Sequence, residues 1–219
     1  VDEMIVGLLP ASGSASRVKG IPKFCLPISD DICLLEWHVK NMAEVCDEIR
    51  ISTKSSWLPI VEKFNIDAKI NIIEPSTMSD AITKMTDGTE TSIIIGMPDT
   101  FISHTNQNFY KTISESEYDI TLASWPCNED IKGRVGQINY NGNDVIEVID
   151  KVPGCEFDRM WGALKFNISG KLIDPALPHP GVQLNSFIRL GYTVGHIPCE
   201  GEYIDAGTVS GIKELYRSL

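Results

Sequence analysis

Met4-Ile5-Val6-Gly7-Leu8-Leu9-Pro10-Ala11-Ser12-Gly13-Ser14-Ala15-Ser16-Arg17-Val18-Lys19-Gly20-Ile21-Pro22-Lys23 is the stretch on which the fold reading turns. Its first six residues form a short apolar run, too short for a helix of ordinary length and rich enough in Ile and Val for a buried strand. Small residues follow, which let a backbone approach a phosphate chain and present its N–H groups. Arg17, Lys19 and Lys23 then add positive charge. The loop has no G-K-[ST] ending, and Ala15 and Ser16 stand where a dinucleotide G-x-G-x-x-G would need glycines. Its residue types suit phosphate binding, and they equally suit a surface turn with solvated lysines.

Outward from this stretch, short Ile- and Val-rich runs alternate with amphipathic segments. Strands are predicted over 48–52, 68–73 and 92–97, with helices over 34–45, 58–64 and 80–85 between and after them. From about Asp130 the rhythm changes. Runs at 135–140 and 145–149 flank Asn141-Gly142-Asn143, a hairpin signal. Strands at 161–168 and 192–197 and helices at 182–190 and 209–219 complete the pattern. The alternation predicts one α/β domain over 1–219, with a mixed, mainly parallel sheet flanked by helices. Within that one domain a front lobe, about 1–130, and a back lobe, about 131–219, read as two functional parts.

Composition narrows the partners. Across 219 residues, Lys+Arg total 19 against Asp+Glu 30, a formal net charge of −11. Such a surface repels polyanions, so neither nucleic acid nor an anionic membrane is expected as the main partner. No run reaches the length of a membrane span. Cys25, Cys33, Cys46, Cys127, Cys155 and Cys199 include no C-x-x-C pair. They read as reduced thiols, and the absence of a secretory leader agrees with a cytoplasmic location. A homo-oligomer stays open. His38, His104, His179 and His196 have no partner at metal-ligand spacing and read as helix, loop and strand residues. The tryptophans read as packing residues, with Trp161 also a candidate border of a ligand pocket.

Ligands of parallel α/β sheets bind beyond the carboxyl ends of the strands, so the strand-end loops matter most. Ala11-Ser12-Gly13, Arg17 and Pro22-Lys23 resemble the signature loop of the nucleoside-diphosphate-sugar pyrophosphorylases. That family prefers a second glycine where Ala15 stands. Met97-Pro98-Asp99 resembles its strand-end metal aspartate, and Tyr203-Ile204-Asp205-Ala206-Gly207-Thr208 its later one. Read on its own, Asp99 is a turn residue and Thr208 a cap for the last helix. Glu74-Pro75-Ser76-Thr77-Met78-Ser79 resembles the base-reading loop, with Ser79 where glycine is common. Gly133-Arg134-Val135-Gly136 and Asp150-Lys151-Val152-Pro153 resemble the sugar-side glycine and the Glu-Lys-Pro element, with Asp150 for Glu and Val152 inserted.

The resemblance spans almost the whole chain, with the elements in the family's order. It implies a nucleotidyltransferase with a Rossmann-type, GT-A-like core, making an NDP-sugar and pyrophosphate from an NTP and a sugar 1-phosphate. It places nucleotide contacts at Ala11, Ser12, Gly13, Glu74 and Ser79, and acceptor contacts at Gly136, Asp150 and Lys151. Arg17 and Lys23 become the catalytic cations, and Asp99 and Asp205 the Mg2+ ligands. Rival readings are a cytidylyltransferase of phosphocholine or a phosphonate, and a silent nucleotide-sugar-binding regulator. A glycosyltransferase is a third, although Asp99-Thr100-Phe101 lacks the second carboxylate of a D-x-D motif.

Overall fold

The computed structural model describes residues 4–13, 15, 18, 20–129, 131–168 and 172–219. Strand β1 (Ile5–Pro10) is almost wholly buried, as an apolar run with no alternation requires. It pairs in parallel with β2 (Glu48–Thr53) on one side and β4 (Ser92–Ile95) on the other, and β3 (Lys69–Ile72) extends the parallel set beyond β2. The sheet then turns mixed. β9 (Arg159–Phe166) runs antiparallel between β4 and β6 (Ile120–Pro126), and β10 (Val194–Pro198) is parallel to β6. The hairpin of β7 (Gly136–Asn141) and β8 (Asp144–Asp150) closes the far edge. Gly142 turns that hairpin with φ 61°, a backbone state glycine adopts without cost. A separate pair, β5 (Thr100–Ser103) and β11 (Glu202–Asp205), runs antiparallel. The α/β class and the mixed sheet agree with the sequence reading. Because β9 sits between β4 and β6, segments from both halves of the chain share one sheet.

The helices are α1 (Leu34–Met42), α2 (Leu58–Val61), α3 (Met78–Met85), α4 (Phe109–Ser114), α5 (Leu184–Arg189) and α6 (Val209–Ser218). Most are shorter than their periodicity suggests, because turns and 3-10 segments end them early. Thr77 caps α3, its hydroxyl accepting from Asp80 N–H at 2.9 Å, and Thr208 caps α6 through Gly211 N–H at 3.1 Å. Among the described residues no helix is long and apolar enough to cross a membrane. All six cysteines are free thiols.

Four elements escaped the sequence reading. β6 is buried along its length and shows no alternation, and its buried Thr121 and Ser124 dilute the apolar run. α4 has only six residues and depends on Asn108, whose side chain accepts from Tyr110 N–H at 3.1 Å. β5 and β11 are four-residue strands that pair only with each other. β2 also differs from a one-faced strand. Arg50 is 2% exposed, paired with Glu48 and Glu90 and 3.2 Å from Asp87, so the polar positions of the alternation are buried beneath the end of α3.

His38 ties three elements together. Its ring is fully buried, with Nε2 2.9 Å from the Thr100 carbonyl and Nδ1 2.6 Å from the Tyr110 hydroxyl. A carbonyl only accepts, so Nε2 carries the proton and Nδ1 accepts from Tyr110. Burial pushes the imidazole down to about 4, against the opposing pull of Thr100 and of the Asp99 charge. The unfolded chain therefore takes up this proton first as pH falls. His38's contribution is complete above about 6.5 and is lost as pH drops toward 4, an effect of about 3 kcal/mol. Urea unfolding of His38→Gln should show a flatter loss of stability across that window than the parent. Parallel pH curves for the two proteins would contradict this.

Candidate active site

Parallel pairing of β1 with β4 brings the loops that follow both strands out at one edge of the sheet. After β1, the short 3-10 turn Lys23–Cys25 follows Pro22 and presents Lys23 toward that edge. After β4, Gly96-Met97-Pro98 leads to Asp99, and Lys23 Nζ forms an ion pair with the Asp99 carboxylate. Gly96 has room only for hydrogen, since a Cβ there would collide with the Tyr110 hydroxyl. The β5–β11 pair then delivers Asp205. It sits opposite Thr100 in the register, and Ala206 N–H donates to the Asp99 carbonyl at 2.9 Å. Gly207 N–H donates to Asp205 Oδ1 at 2.6 Å. A Cβ on Gly207 would lie 2.5 Å from that oxygen and 3.3 Å from Lys23 Nζ, so Lys23 and Asp205 face the same small space. Two carboxylates that D-x-D spacing would bring together locally are here brought together by strand pairing.

Three adjoining cavities form a trough along this edge. The middle one, about 450 Å³, is lined by Ala11, Gly13, Ala15, Lys23 and Asp99 among others. One end, about 280 Å³, is lined by Ser12, Gly13, Lys54, Pro75 and Met78. The other, about 170 Å³, is lined by Arg134, Gly136, Asp150, Lys151, Trp161 and His179, together with both Asp99 and Asp205. Met78 borders all three, so the trough is continuous around it. Ser12 is buried, its hydroxyl 3.0 Å from that of Ser52. Glu74 is exposed and lies outside these linings, while Ser79 is fully buried within α3. Arg17 lies outside the described residues.

At the small end, Lys151 follows β8 with φ 54°, and its N–H donates to the Val135 carbonyl at 3.2 Å. This left-handed turn ties the Asp150–Lys151 element to the 133–136 turn. The inserted Val152 is half exposed and leaves the pocket wall intact. Burial acts to raise the Asp150 pKa. The His179 hydrogen bond at 3.1 Å outweighs it, aided by the His179 charge whenever that ring is protonated and by the Lys151 charge, and holds the carboxyl below its ordinary range. His179, read from the sequence as a plain loop residue, is thus a wall of this pocket and the partner of Asp150.

Among the described residues no three His, Cys, Asp or Glu side chains gather as a metal cluster. Asp99 and Asp205 still suit Mg2+, which takes oxygen ligands and commonly needs only one or two protein carboxylates beside substrate phosphates. Lys23 already supplies Asp99 with a counter-charge. Lys54 and Arg134 were not singled out by sequence. Lys54 follows β2 at the same sheet edge, a signal the strand-end rule carries. His179 had no local signal at all.

Ala15 stands where the resembled family prefers glycine, and it adopts φ 52°. A Cβ in this left-handed state costs about 1–2 kcal/mol, part of which glycine returns as unfolded-chain entropy. Ala15→Gly should therefore raise unfolding stability by about 0.5–1 kcal/mol. A loss of stability in urea would show that the loop does not demand this conformation.

No protein-family profile and no curated protein sequence matches this chain. Solved structures do match. A UDP-glucose pyrophosphorylase complexed with UDP-glucose is 15% identical with TM-score 0.79, covering 98% of this chain and 97% of that one. A Bacillus anthracis protein assigned as a glucose-1-phosphate thymidylyltransferase, in complex with sucrose, is 15% identical with TM-score 0.78, covering 97% and 94%. A UTP-bound UGPase from Acinetobacter baumannii is 14% identical with TM-score 0.74, covering 97% and 92%. The chain has the fold of these sugar-1-phosphate nucleotidyltransferases over nearly its full length.

Proposed function

We propose that this chain is a nucleotidyltransferase that joins the NMP unit of an NTP to a sugar 1-phosphate and releases pyrophosphate. The observation that carries this reading is the meeting of Lys23, Asp99 and Asp205 between the middle cavity and the smaller end cavity. A phosphate chain in the middle cavity would place its α-phosphorus beside that junction. A phosphorylated acceptor at the small end would approach from the opposite side.

An acceptor phosphate oxygen forms the new bond to the α-phosphorus. The bond to the bridging oxygen breaks, and pyrophosphate leaves with that electron pair. The attacking phosphate is already anionic, so no general base is needed, and catalysis is positioning plus charge stabilisation. Ala11 lines the phosphate site, its own N–H given to the Ser52 carbonyl at 3.0 Å. The backbone amides of Ser12 and Gly13 hold the phosphate chain, and the 75–78 part of the 74–79 segment meets the base. Lys23 contacts the α-phosphate, and Arg17 meets the departing pyrophosphate. Arg134 and Lys151 supply positive charge for the acceptor phosphate. Mg2+ bound by Asp99 and Asp205 would offset charge on the α-phosphate and acceptor oxygens.

Asp99→Asn and Asp205→Asn should each lower turnover by about 10²–10³ while leaving the unfolding transition in place. EDTA should likewise remove activity, and added Mg2+ restore it. Undiminished pyrophosphate release in EDTA would refute the metal role of the two aspartates.

A further inference from the structure

Two buried polar atoms in the wall of the small cavity have no hydrogen-bond partner among the described residues. They are His179 Nδ1 and Trp161 Nε1. Both side chains line that cavity, and their rings lie 6.1 Å apart between centroids. Trp161 is 8% exposed and packs between two glycines: a Cβ at Gly136 or Gly181 would collide with the indole. The Gly181 position also lies 2.9 Å from His179 Nδ1. The indole is therefore held between the two glycines, its Nε1 edge against Gly136 and its benzo edge against Gly181.

The Asp150 carboxylate defines the chemistry of His179. Its Oδ2 is 3.1 Å from Nε2, and an ionised carboxylate only accepts, so in the neutral ring Nε2 carries the proton. Nδ1 is then a hydrogen-bond acceptor. In the same wall, Trp161 Nε1–H is a donor and nothing else. Groups that donate to Nδ1 and accept from Nε1 complete this wall, and the hydroxyls of a sugar can do both. A buried polar atom left bare carries a desolvation penalty, which favours the small shift of the wall that an entering hydroxyl needs.

We infer that His179, oriented by Asp150 and paired with Trp161, reads a hydroxyl of the acceptor and so selects hydroxylated sugar phosphates over acceptors without hydroxyls. The assignment rests on the proposed nucleotidyl transfer. It makes His179 the specificity-determining side chain and Asp150 its positioning residue, where resemblance alone would send Asp150 directly to the sugar. Phosphocholine and simple phosphonates lack the hydroxyl that this pair requires.

The test compares wild type, His179→Phe and His179→Asn on sugar 1-phosphates and their monodeoxy analogues. His179→Phe should raise the acceptor KM about tenfold, with the NTP KM within about twofold. One monodeoxy analogue should cost wild type a similar factor and cost His179→Phe nothing further. His179→Asn keeps an acceptor oxygen near the Nδ1 position and should recover part of the loss. An unchanged acceptor KM in His179→Phe, or equal penalties on every deoxy analogue in both proteins, overturns the assignment of His179 alone. If the phenylalanine variant does not fold, the deoxy series on wild type and His179→Asn decides by the same criterion. Failure of wild type to use any sugar 1-phosphate with any NTP overturns the proposed function itself.

Discussion

Parallel hydrogen bonding between β1 and β4, from Ile5 opposite Ser92 to Leu8 opposite Ile95, is the constraint on which this molecule depends. Parallel neighbours end at the same edge, so the loop carrying Lys23 and the loop carrying Asp99 must emerge side by side. An acidic chain of net charge −11 thereby concentrates Lys23, Lys54, Arg134 and Lys151 along one trough. The pairing needs both faces of β1 covered, which explains a run with no polar alternation. Gly7 belongs to the same requirement: a Cβ there would sit 2.9 Å from Met42 Sδ, against the helix packed on the strand.

The parallel half of the sheet was legible because its strands are short apolar runs and its helices keep their period. The mixed half was harder. β6 lies in the sheet interior between β9 and β10, and because residues on both of its faces are buried no alternation marks it. β5 and β11 are too short to stand out in sequence, and they exist because each supplies the other's hydrogen bonds. Arg50 shows the limit of alternation as a guide to exposure. A polar position in a strand becomes interior when carboxylates from β2 and the segment after α3 close around it.

The site was legible where its chemistry follows a strand end. Lys23, Asp99, Asp150 and Lys151 all do so, and the structure places them in the linings of one trough. Asp205 lies far along the chain, and only the antiparallel β5–β11 pairing explains its presence beside Asp99. Ala15 carries a backbone requirement that its side chain conceals. His179 was illegible for a different reason. Its loop has no motif, and its significance comes from Asp150, Trp161 and Gly181 meeting it in space. The same loop accepts hydrogen bonds from the start of α3: Met78 N–H donates to the Pro178 carbonyl at 3.1 Å and the Thr77 hydroxyl to the Pro175 carbonyl at 2.8 Å. Its Pro178 lines the middle cavity and its His179 the small end.

In-line transfer between two phosphates runs in both directions, so the reverse reaction tests the central claim most directly. The protein is incubated with Mg2+, pyrophosphate and each member of a panel of NDP-sugars, and nucleotides are separated by ion-exchange chromatography. The account predicts that at least one NDP-sugar yields its NTP and a sugar 1-phosphate in equal amounts. NTP formation from none of them, by a protein that unfolds cooperatively, would contradict it.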